Sequence, residues 1–207
     1  MYVPSAFSIT DLNELHNFIE QHSFATLISQ KDNEPFASHL PVLLDRNQGK
    51  QGRLIGHFAK ANPHAEMKQH QSVLTIFHGP HAYISPTWYE DPDTVPTWNY
   101  LAVHVYGRYS QIEDPKELKG ILEQYVDFFE ASQPAQWSIQ NVDSTLINKL
   151  LKGIFGFTIE IDRIEGKFKL NQNHSVERQK KVINHLKKQR GDNPQAIASL
   201  MLAQLSD

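Results

Sequence analysis

The chain has 207 residues, with 20 Lys+Arg, 23 Asp+Glu and no Cys, and a formal net charge of −3 at pH 7. The lack of Cys excludes disulfides, thiolate zinc sites, iron–sulfur clusters and a Cys nucleophile. Because no run of about 18 apolar residues occurs and the first residues lack the pattern of a secretory signal, we expect a cytoplasmic protein without a membrane span.

The first half of the chain predicts one helix followed by short strands. Apolar residues recur at helical spacing over 12–19, which predicts the helix. Asn62-Pro63 predicts the start of a short helix to about Gln69, because Asn can accept a backbone N–H bond and Pro suits the first helical position. Gly79-Pro80 predicts a turn between two strands. The predicted strands of this half are 24–29, 35–44, 53–58, 72–78 and 82–89.

The second half begins with the longest predicted strand, 98–112. Gly107 within that strand indicates a bulge or the close approach of another backbone. Asp114-Pro115 predicts the start of a helix whose apolar stripe continues to Phe129. The remaining predicted elements are a helix at 144–151, strands at 155–164 and 167–170 joined by a turn at Gly166, and two tail helices at 176–189 and 194–205.

This order of elements predicts an α+β protein with mainly antiparallel strands. Short turns between consecutive strands favour antiparallel pairing. So many strands of similar length favour a closed or partly closed barrel, since closure protects the edges, and the helices would cover its ends. We expect a barrel domain at 1–173 and a C-terminal helical appendage at 174–207 that packs on the barrel.

Most familiar catalytic patterns are missing from the sequence. The 11 His residues show no spacing typical of a metal site, so we predict none. The nucleophile elbow G-x-S-x-G and the Gly-rich phosphate loops do not occur. No residue stands out as a catalytic acid or base, and the catalytic residues are therefore unknown.

Two other patterns suggest ligand chemistry. A strand that runs through Lys60 into the Asn62-Pro63 helix start would place an ammonium group beside free backbone N–H donors, which suits one phosphate group. An ordinary strand-to-helix corner with a surface Lys explains the same pattern equally well. Five Tyr and Trp residues within the 18 positions 83–100 suit a flat heteroaromatic ligand or a subunit interface, although a plain aromatic core also explains them.

Several strings along residues 1–173 resemble the PaiB-type proteins, which are described as FMN-binding negative transcriptional regulators. The strings that carry the resemblance are Met1-Tyr2-Val3-Pro4 with Phe7, Ser38-His39-Leu40-Pro41, the run from Gly56-His57 to Asn62-Pro63, Gly79-Pro80 with 82–86, the run 95–100 with His104, and Gly166-Lys167-Phe168-Lys169-Leu170 with Gln172-Asn173. The resemblance implies an FMN-binding split β-barrel with peripheral helices and a C-terminal helical pair. It also implies a homodimer with FMN at the subunit interface.

The resemblance also implies which residues bind the cofactor. The strand His39-Leu40-Pro41 would lie beside the isoalloxazine ring, and backbone amides of this strand would bond the edge of the ring. The residues implied around the ribityl phosphate are His57, Phe58, Ala59, Lys60 and Asn62. The second subunit would contribute Trp98 and Asn99, together with Lys167 and Lys169.

Three alternatives to a PaiB-type FMN-binding regulator remain open. Direct DNA binding is suggested by the tail 174–207, which has 6 basic and 3 acidic residues, but the stretch 196–205 has no basic residue for a recognition helix. An NAD(P)H-dependent flavin reductase would use the same flavin site. A haem-binding split barrel ranks below it, because the phosphate corner has no use for haem.

Overall fold

The computed structural model describes residues 1–91 and 93–205. Its strands are β1 (Ser8–Ile9), β2 (Phe24–Lys31), β3 (Glu34–Pro41), β4 (Leu43–Asp45), β5 (Arg53–Ala59), β6 (Ser72–Ile84), β7 (Thr97–Ile112) and β8 (Ile154–Lys169). Its α-helices are α1 (Leu12–Gln21), α2 (Pro115–Glu130), α3 (Ser144–Leu151), α4 (Val176–Leu186) and α5 (Asp192–Gln204). Short 3₁₀ helices lie at Ser5–Phe7, Pro63–Glu66, Pro86–Tyr89 and Ile139–Asn141. Within the described ranges, no helix is long and apolar enough to cross a membrane.

The strands form one open sheet. Their order is β3-β2-β6-β7-β8-β5-β4, and β1 pairs with β8 outside this path. The pairs β2·β3, β2·β6, β4·β5, β5·β8 and β1·β8 are all antiparallel. These pairings confirm the predicted α+β class with mainly antiparallel strands.

The chain divides into two compact units. Unit 1 contains Met1–Phe18, Phe77–His104 and Glu165–Asp207, and unit 2 contains Ile19–Ile76 and Val105–Ile164. The strands β6, β7 and β8 contribute residues to both units. The helices α4 and α5 belong to unit 1, which confirms the C-terminal helical pair, whereas the domain boundary at 173 stays a prediction.

The helix starts follow from their capping residues. Asp114 accepts hydrogen bonds from the backbone N–H groups of Lys116 (3.1 Å) and Glu117 (2.8 Å), so α2 begins where the sequence predicts. The prediction for 144–151 matches α3. The helix predicted from Asn62-Pro63 to Gln69 is shorter in the structure, because only the 3₁₀ helix Pro63–Glu66 forms.

Two predicted turns are wrong, and both lie at glycines inside continuous strands. β6 runs through Gly79 and β8 runs through Gly166. A methyl group at Gly79 would lie 2.8 Å from the Phe18 ring, and one at Gly166 would lie 2.3 Å from Leu15 Cδ2. Both glycines are therefore needed because α1 packs closely over the strands, not because the chain turns.

Two predicted strands also have different limits. The strand predicted at 35–44 is divided at Val42 into β3 and β4. The segment predicted as the strand 82–89 supplies only the end of β6, because Pro86–Tyr89 forms a 3₁₀ helix. Ser85 caps that helix by accepting a bond from the Thr87 N–H (3.3 Å), a local side-chain contact that competes with strand pairing.

The core of unit 2 contains aromatic rings and one close backbone contact. Phe58 stacks on Phe157, with the ring centroids 5.2 Å apart. A methyl group at Gly107 would lie 2.3 Å from the carbonyl oxygen of Glu160. The prediction that Gly107 marks a close backbone approach is therefore confirmed.

Candidate functional site

Tyr125 of α2 joins the end of β3 to β5 in unit 2. Its hydroxyl donates to the carbonyl of Pro41 (2.8 Å) and also lies 3.1 Å from the carbonyl of Ile55. The His57 ring stands edge-on to the Tyr125 ring at 5.0 Å. Burial raises the pKa of the phenol, so it stays protonated and remains a donor. Two of the strings that carry the sequence resemblance are thus fixed to the same helix.

A second link between these strings runs through Asn62. The side-chain oxygen Oδ1 of Asn62 accepts from the His64 N–H (2.9 Å), and the side-chain Nδ2 of Asn62 donates to the Ser38 hydroxyl (2.9 Å). Ser38 Oγ also lies 2.9 Å from His64 Nδ1. The corner that follows β5 is therefore tied directly to β3 by side-chain hydrogen bonds.

The backbone amides at this corner differ from the prediction. The N–H groups of Lys60 and Asn62 donate to the carbonyls of Gly153 (2.9 Å) and Ala59 (2.8 Å), and the Ala65 N–H donates to the Asn62 carbonyl (2.8 Å). With the His64 N–H bound to the cap, these donors are already used. A four-residue 3₁₀ helix with an Asn cap uses most amides of the corner itself, so an anion here would depend mainly on side chains.

Lys60 is the cation of this corner. Its side chain is exposed, and its ammonium lies 5.0 Å from the centre of the Phe155 ring. It borders a mainly apolar cavity of about 360 Å³ whose walls include Leu118 and Leu151. Among the described residues no carboxylate pairs with Lys60, so its ammonium can reach a bound anion without breaking such a pair.

The histidines of the corner are neutral at pH 7. Burial lowers the pKa of His64 to about 4, against a smaller opposing effect from the Phe36 backbone, and burial lowers the pKa of His57 as well. His57 Nδ1 and His64 Nε2 are buried and lack a hydrogen-bond partner within the described ranges. The positive charge for an anion must therefore come from lysines, and Lys60 and Lys152 both border the cavity, together with the carboxylate of Glu113.

The residues predicted to meet a flavin ring lie on an edge strand. β3 is the last strand of the sheet order, so one side of its backbone has no neighbouring strand in that order. His39 is exposed and its Nδ1 lies 3.0 Å from the Thr26 hydroxyl, while Leu40 is buried. Free backbone groups of such an edge can bond a ligand by main-chain hydrogen bonds.

The remaining predicted residues of β5 have unequal access. The Phe58 ring is buried in the core of unit 2, whereas Ala59 is exposed and pairs with Ile154 of β8. The Phe58 side chain therefore stabilises the core, and a ligand would contact this stretch through its backbone or through Ala59.

The four candidate residues of the second group all lie in unit 1. Trp98 is 52% exposed and its ring lies 5.8 Å from that of Tyr83, whereas Asn99 is fully buried and donates to Met201 Sδ at 3.5 Å. Lys167 is buried, and Lys169 donates to the carbonyl of Trp98 (2.7 Å). The structure thus brings Trp98 and Lys169 together, and leaves only the Trp98 ring widely accessible.

Sequence reasoning missed Tyr125, Ser38 and His64 as contributors to the corner. Tyr125 falls in the apolar stripe of α2, where its hydroxyl was the only signal of a polar role. Ser38 lies within one of the quoted strings, but its link to Asn62 depends on folding. Among residues 1–91 and 93–205, no group of three or more His, Asp or Glu residues is placed to hold a metal ion.

Comparisons with known proteins give a family and a fold. A family model described as "Putative FMN-binding domain" matches residues 1–163. The Protease synthase and sporulation protein PAI 2 of Bacillus subtilis is 36% identical over 205 residues, which cover 97% of this chain and 96% of the relative. An uncharacterised protein of Aspergillus fumigatus is 29% identical over 91% of each chain.

Two solved structures share the fold at low identity. The flavocytochrome Anf3 from Azotobacter vinelandii has a TM-score of 0.60 and 14% identity, covering 79% of this chain and 69% of that one. The FAD and heme binding protein from Mycobacterium smegmatis has a TM-score of 0.59 and 14% identity, covering 78% and 73%. These neighbours confirm the predicted split-barrel fold.

Proposed function

The chain belongs to the FMN-binding domain family, as its resemblance to the PaiB-type proteins predicts, with FMN as its cofactor, and from this premise we propose that it holds FMN at the β3–β5 corner of unit 2 as a homodimeric regulatory flavoprotein. The observation that carries the proposal is the Asn62–Ser38 hydrogen bond of 2.9 Å. It joins two strings, 38–41 and 56–63, that the resemblance assigns to opposite ends of one flavin.

The residues of the corner fit a flavin nucleotide. The edge of β3 offers backbone groups from His39 to Pro41 for the polar rim of the isoalloxazine ring. The Lys60 ammonium offers a point charge for the phosphate. Buried nitrogens of His57 and His64 that have no hydrogen-bond partner among the described residues add neutral polar groups behind the corner.

Each part of the corner has a distinct task. FMN, when bound, supplies the redox chemistry of its ring system. Lys60 binds the phosphate, and Asn62 holds the strand-to-helix turn that carries Lys60. Tyr125 fixes the end of β3 against β5 through its buried hydroxyl. Because His57 and His64 are neutral, they add no positive charge for the phosphate.

The homodimer is part of the proposal. Trp98 supports it, because an indole ring that is half exposed beside Tyr83 suits a subunit interface or a flat ligand. We assign the contribution of the second copy to Trp98. Asn99 and Lys167 remain candidates that would need movement to reach a ligand, because both are buried in unit 1.

The regulatory role rests on the relative from Bacillus subtilis, whose name refers to protease synthesis and sporulation. We propose that this chain acts in the same kind of regulation, through its flavin. Direct DNA contact is left out of the proposal, since α5 has no basic residue. A mobility-shift assay over a range of salt concentrations tests this point, and a steep salt dependence of binding would contradict it.

The test of the FMN site is a fluorescence titration of FMN into the full chain and its variants. Lys60→Met should weaken FMN binding by roughly 10- to 100-fold, because a charge-assisted contact to the phosphate is lost. Lys60→Arg should retain most of the affinity. Lys68→Met, which removes another exposed Lys of unit 2, is the matched control and should bind as the parent does. Equal affinity for Lys60→Met and the parent would remove Lys60 from the site.

A further inference from the structure

Unit 1 contains a cavity of about 370 Å³ with a basic and aromatic lining. This volume lies in the range of small-molecule sites, which is roughly 300–1,000 Å³. The cavity is bordered by the N-terminal segment, by the chain that follows the 3₁₀ helix Pro86–Tyr89, and by the chain from the end of β8 to the start of α4. The side chains used in the argument are Phe7, Tyr89, Lys169, Asn171, His174 and Arg178.

Lys169 is a half-buried cation without a countercharge. Its ammonium donates to the hydroxyl of Thr97 and to the carbonyl of Trp98 (2.7 Å), and it lies 5.7 Å from the Phe7 ring. All these partners are neutral, and no carboxylate of the described residues pairs with it. An ammonium has three donors, so one remains for a ligand. Burial, and then the charge of Lys167, lowers the pKa of Lys169.

Lys167 adds a second uncompensated charge on the same face of β8. Residues two apart on a strand point to the same side, which places Lys167 beside Lys169. Lys167 is 8% exposed, donates to the carbonyl of Tyr2 (3.2 Å) and lies 5.1 Å from the Tyr100 ring. Burying a charge is costly unless it is paired. Glu165 on the same face pairs with the N-terminal ammonium, and Lys167 does not line the cavity, so Lys169 is the β8 cation that can meet a ligand there.

The aromatic wall of the cavity is held in place by its own contacts. The buried Asn171 side chain donates to the hydroxyl of buried Tyr89 (2.6 Å), and Asn171 keeps a left-handed backbone with φ of 62°. The His174 ring stacks on Tyr89 at 5.3 Å. Arg178 lies 5.8 Å from the same ring and is fixed by an ion pair with Asp91. The wall is therefore preorganised for a flat ligand.

The charges that border the cavity favour a singly charged ligand. Lys169 and Arg178 are positive and Asp93 is negative. Arg178 is already paired with Asp91, so its charge is largely balanced. Burial, and then the charge of Lys169, lowers the pKa of His174, which is neutral at pH 7. Together with Asp91 these side chains carry no net charge, but among the described residues no carboxylate pairs with Lys169, so its ammonium is the group that can still take one anionic partner.

We propose that this cavity binds a small aromatic monocarboxylate, with its carboxylate on the Lys169 ammonium and its ring against Tyr89 and Phe7. The walls have room for one or two rings, and only the free donor of Lys169 needs a strong acceptor. This assigns Lys169 to a ligand other than FMN. The site is therefore additional to the proposed FMN corner and does not depend on it.

The test is calorimetric titration of benzoate into the full chain saturated with FMN. Benzoate should bind, and benzamide, which has the same shape without the charge, should bind at least roughly tenfold more weakly. Lys169→Met should lose benzoate affinity by roughly tenfold or more. Lys180→Met, an exposed Lys of α4 in the same unit, is the matched control and should change neither the benzoate nor the FMN affinity.

A second variant keeps the test decisive if Lys169→Met does not fold. Val95 borders the cavity and is 77% exposed, so Val95→Trp can block the cavity without disturbing the core. It should abolish benzoate binding and leave FMN binding intact.

Three outcomes would overturn the inference. They are no benzoate binding by the parent, inorganic phosphate binding in preference to benzoate, or loss of FMN affinity in Lys169→Met together with competition between benzoate and FMN. The last outcome would assign Lys169 to the flavin and leave the proposed function standing. Unchanged FMN affinity in Lys60→Met would instead contradict the proposed FMN site, without affecting the benzoate result.

Discussion

Removal of one oxygen atom in Tyr125→Phe tests whether α2 holds β3 and β5 together. The hydroxyl serves the carbonyls of Pro41 and Ile55, at 2.8 and 3.1 Å, in a buried setting. Both acceptors lose this donor in the variant, whereas the ring and its packing remain. Loss of a buried hydrogen bond with unsatisfied partners costs about 1–3 kcal/mol. For a chain of this size, each kcal/mol lowers Tm by roughly 2–4 °C.

The assay is thermal unfolding with and without saturating FMN, together with an FMN titration. We expect a lower Tm for Tyr125→Phe and weaker FMN binding, since the end of β3 is less firmly held. Tyr2→Phe removes the hydroxyl of a Tyr that is 82% exposed and serves as the control, with little change expected in either quantity. An unchanged Tm and an unchanged FMN affinity in Tyr125→Phe would refute the reasoning.

Three further predictions concern stability. Gly107→Ala should destabilise the protein by about 1–3 kcal/mol in urea unfolding, because the added methyl would lie 2.3 Å from the Glu160 carbonyl oxygen. An unchanged free energy of unfolding would contradict this close backbone approach. Gly120→Ala in α2 meets no atom within 4 Å among the described residues and should stabilise the protein by about 0.5–1 kcal/mol, where a loss would show unseen packing. Burial lowers the pKa of His64 from 6.5 to about 4, so the unfolded chain binds a proton at a higher pH than the folded chain does. The free energy of unfolding should therefore keep its full value above pH 6.5 and fall by roughly 3 kcal/mol as the pH decreases to 4. His64→Gln should flatten that part of the pH profile, and an equal slope in both proteins would exclude His64 as its source.

The sequence predicted elements whose signals are local. Asp114 and Asn62 cap the turns that follow them, and a cap acts on amides two or three residues away. Gly79 and Gly166 were misread as turns because their neighbours, Phe18 and Leu15, come from a helix far away along the chain. A glycine required by packing and one required by a turn look the same in a single sequence.

The candidate site, like the fold, was predictable only where its signals are local in the sequence. The string 56–63 identified Lys60 and Asn62, since each lies within one continuous pattern. The sequence could not show that the Lys60 N–H is already hydrogen-bonded, because its acceptor is the carbonyl of Gly153, which is distant in sequence. The role of the Tyr125 hydroxyl could not be predicted for the same reason, because its acceptors Pro41 and Ile55 lie on two strands that are distant in sequence.

A crystal structure of the protein with FMN tests the central claim most directly. The account predicts the phosphate within about 3 Å of Lys60 Nζ and the ring edge along the backbone of β3 from His39 to Pro41. A flavin bound elsewhere, with Lys60 directed away from its phosphate, would contradict the account.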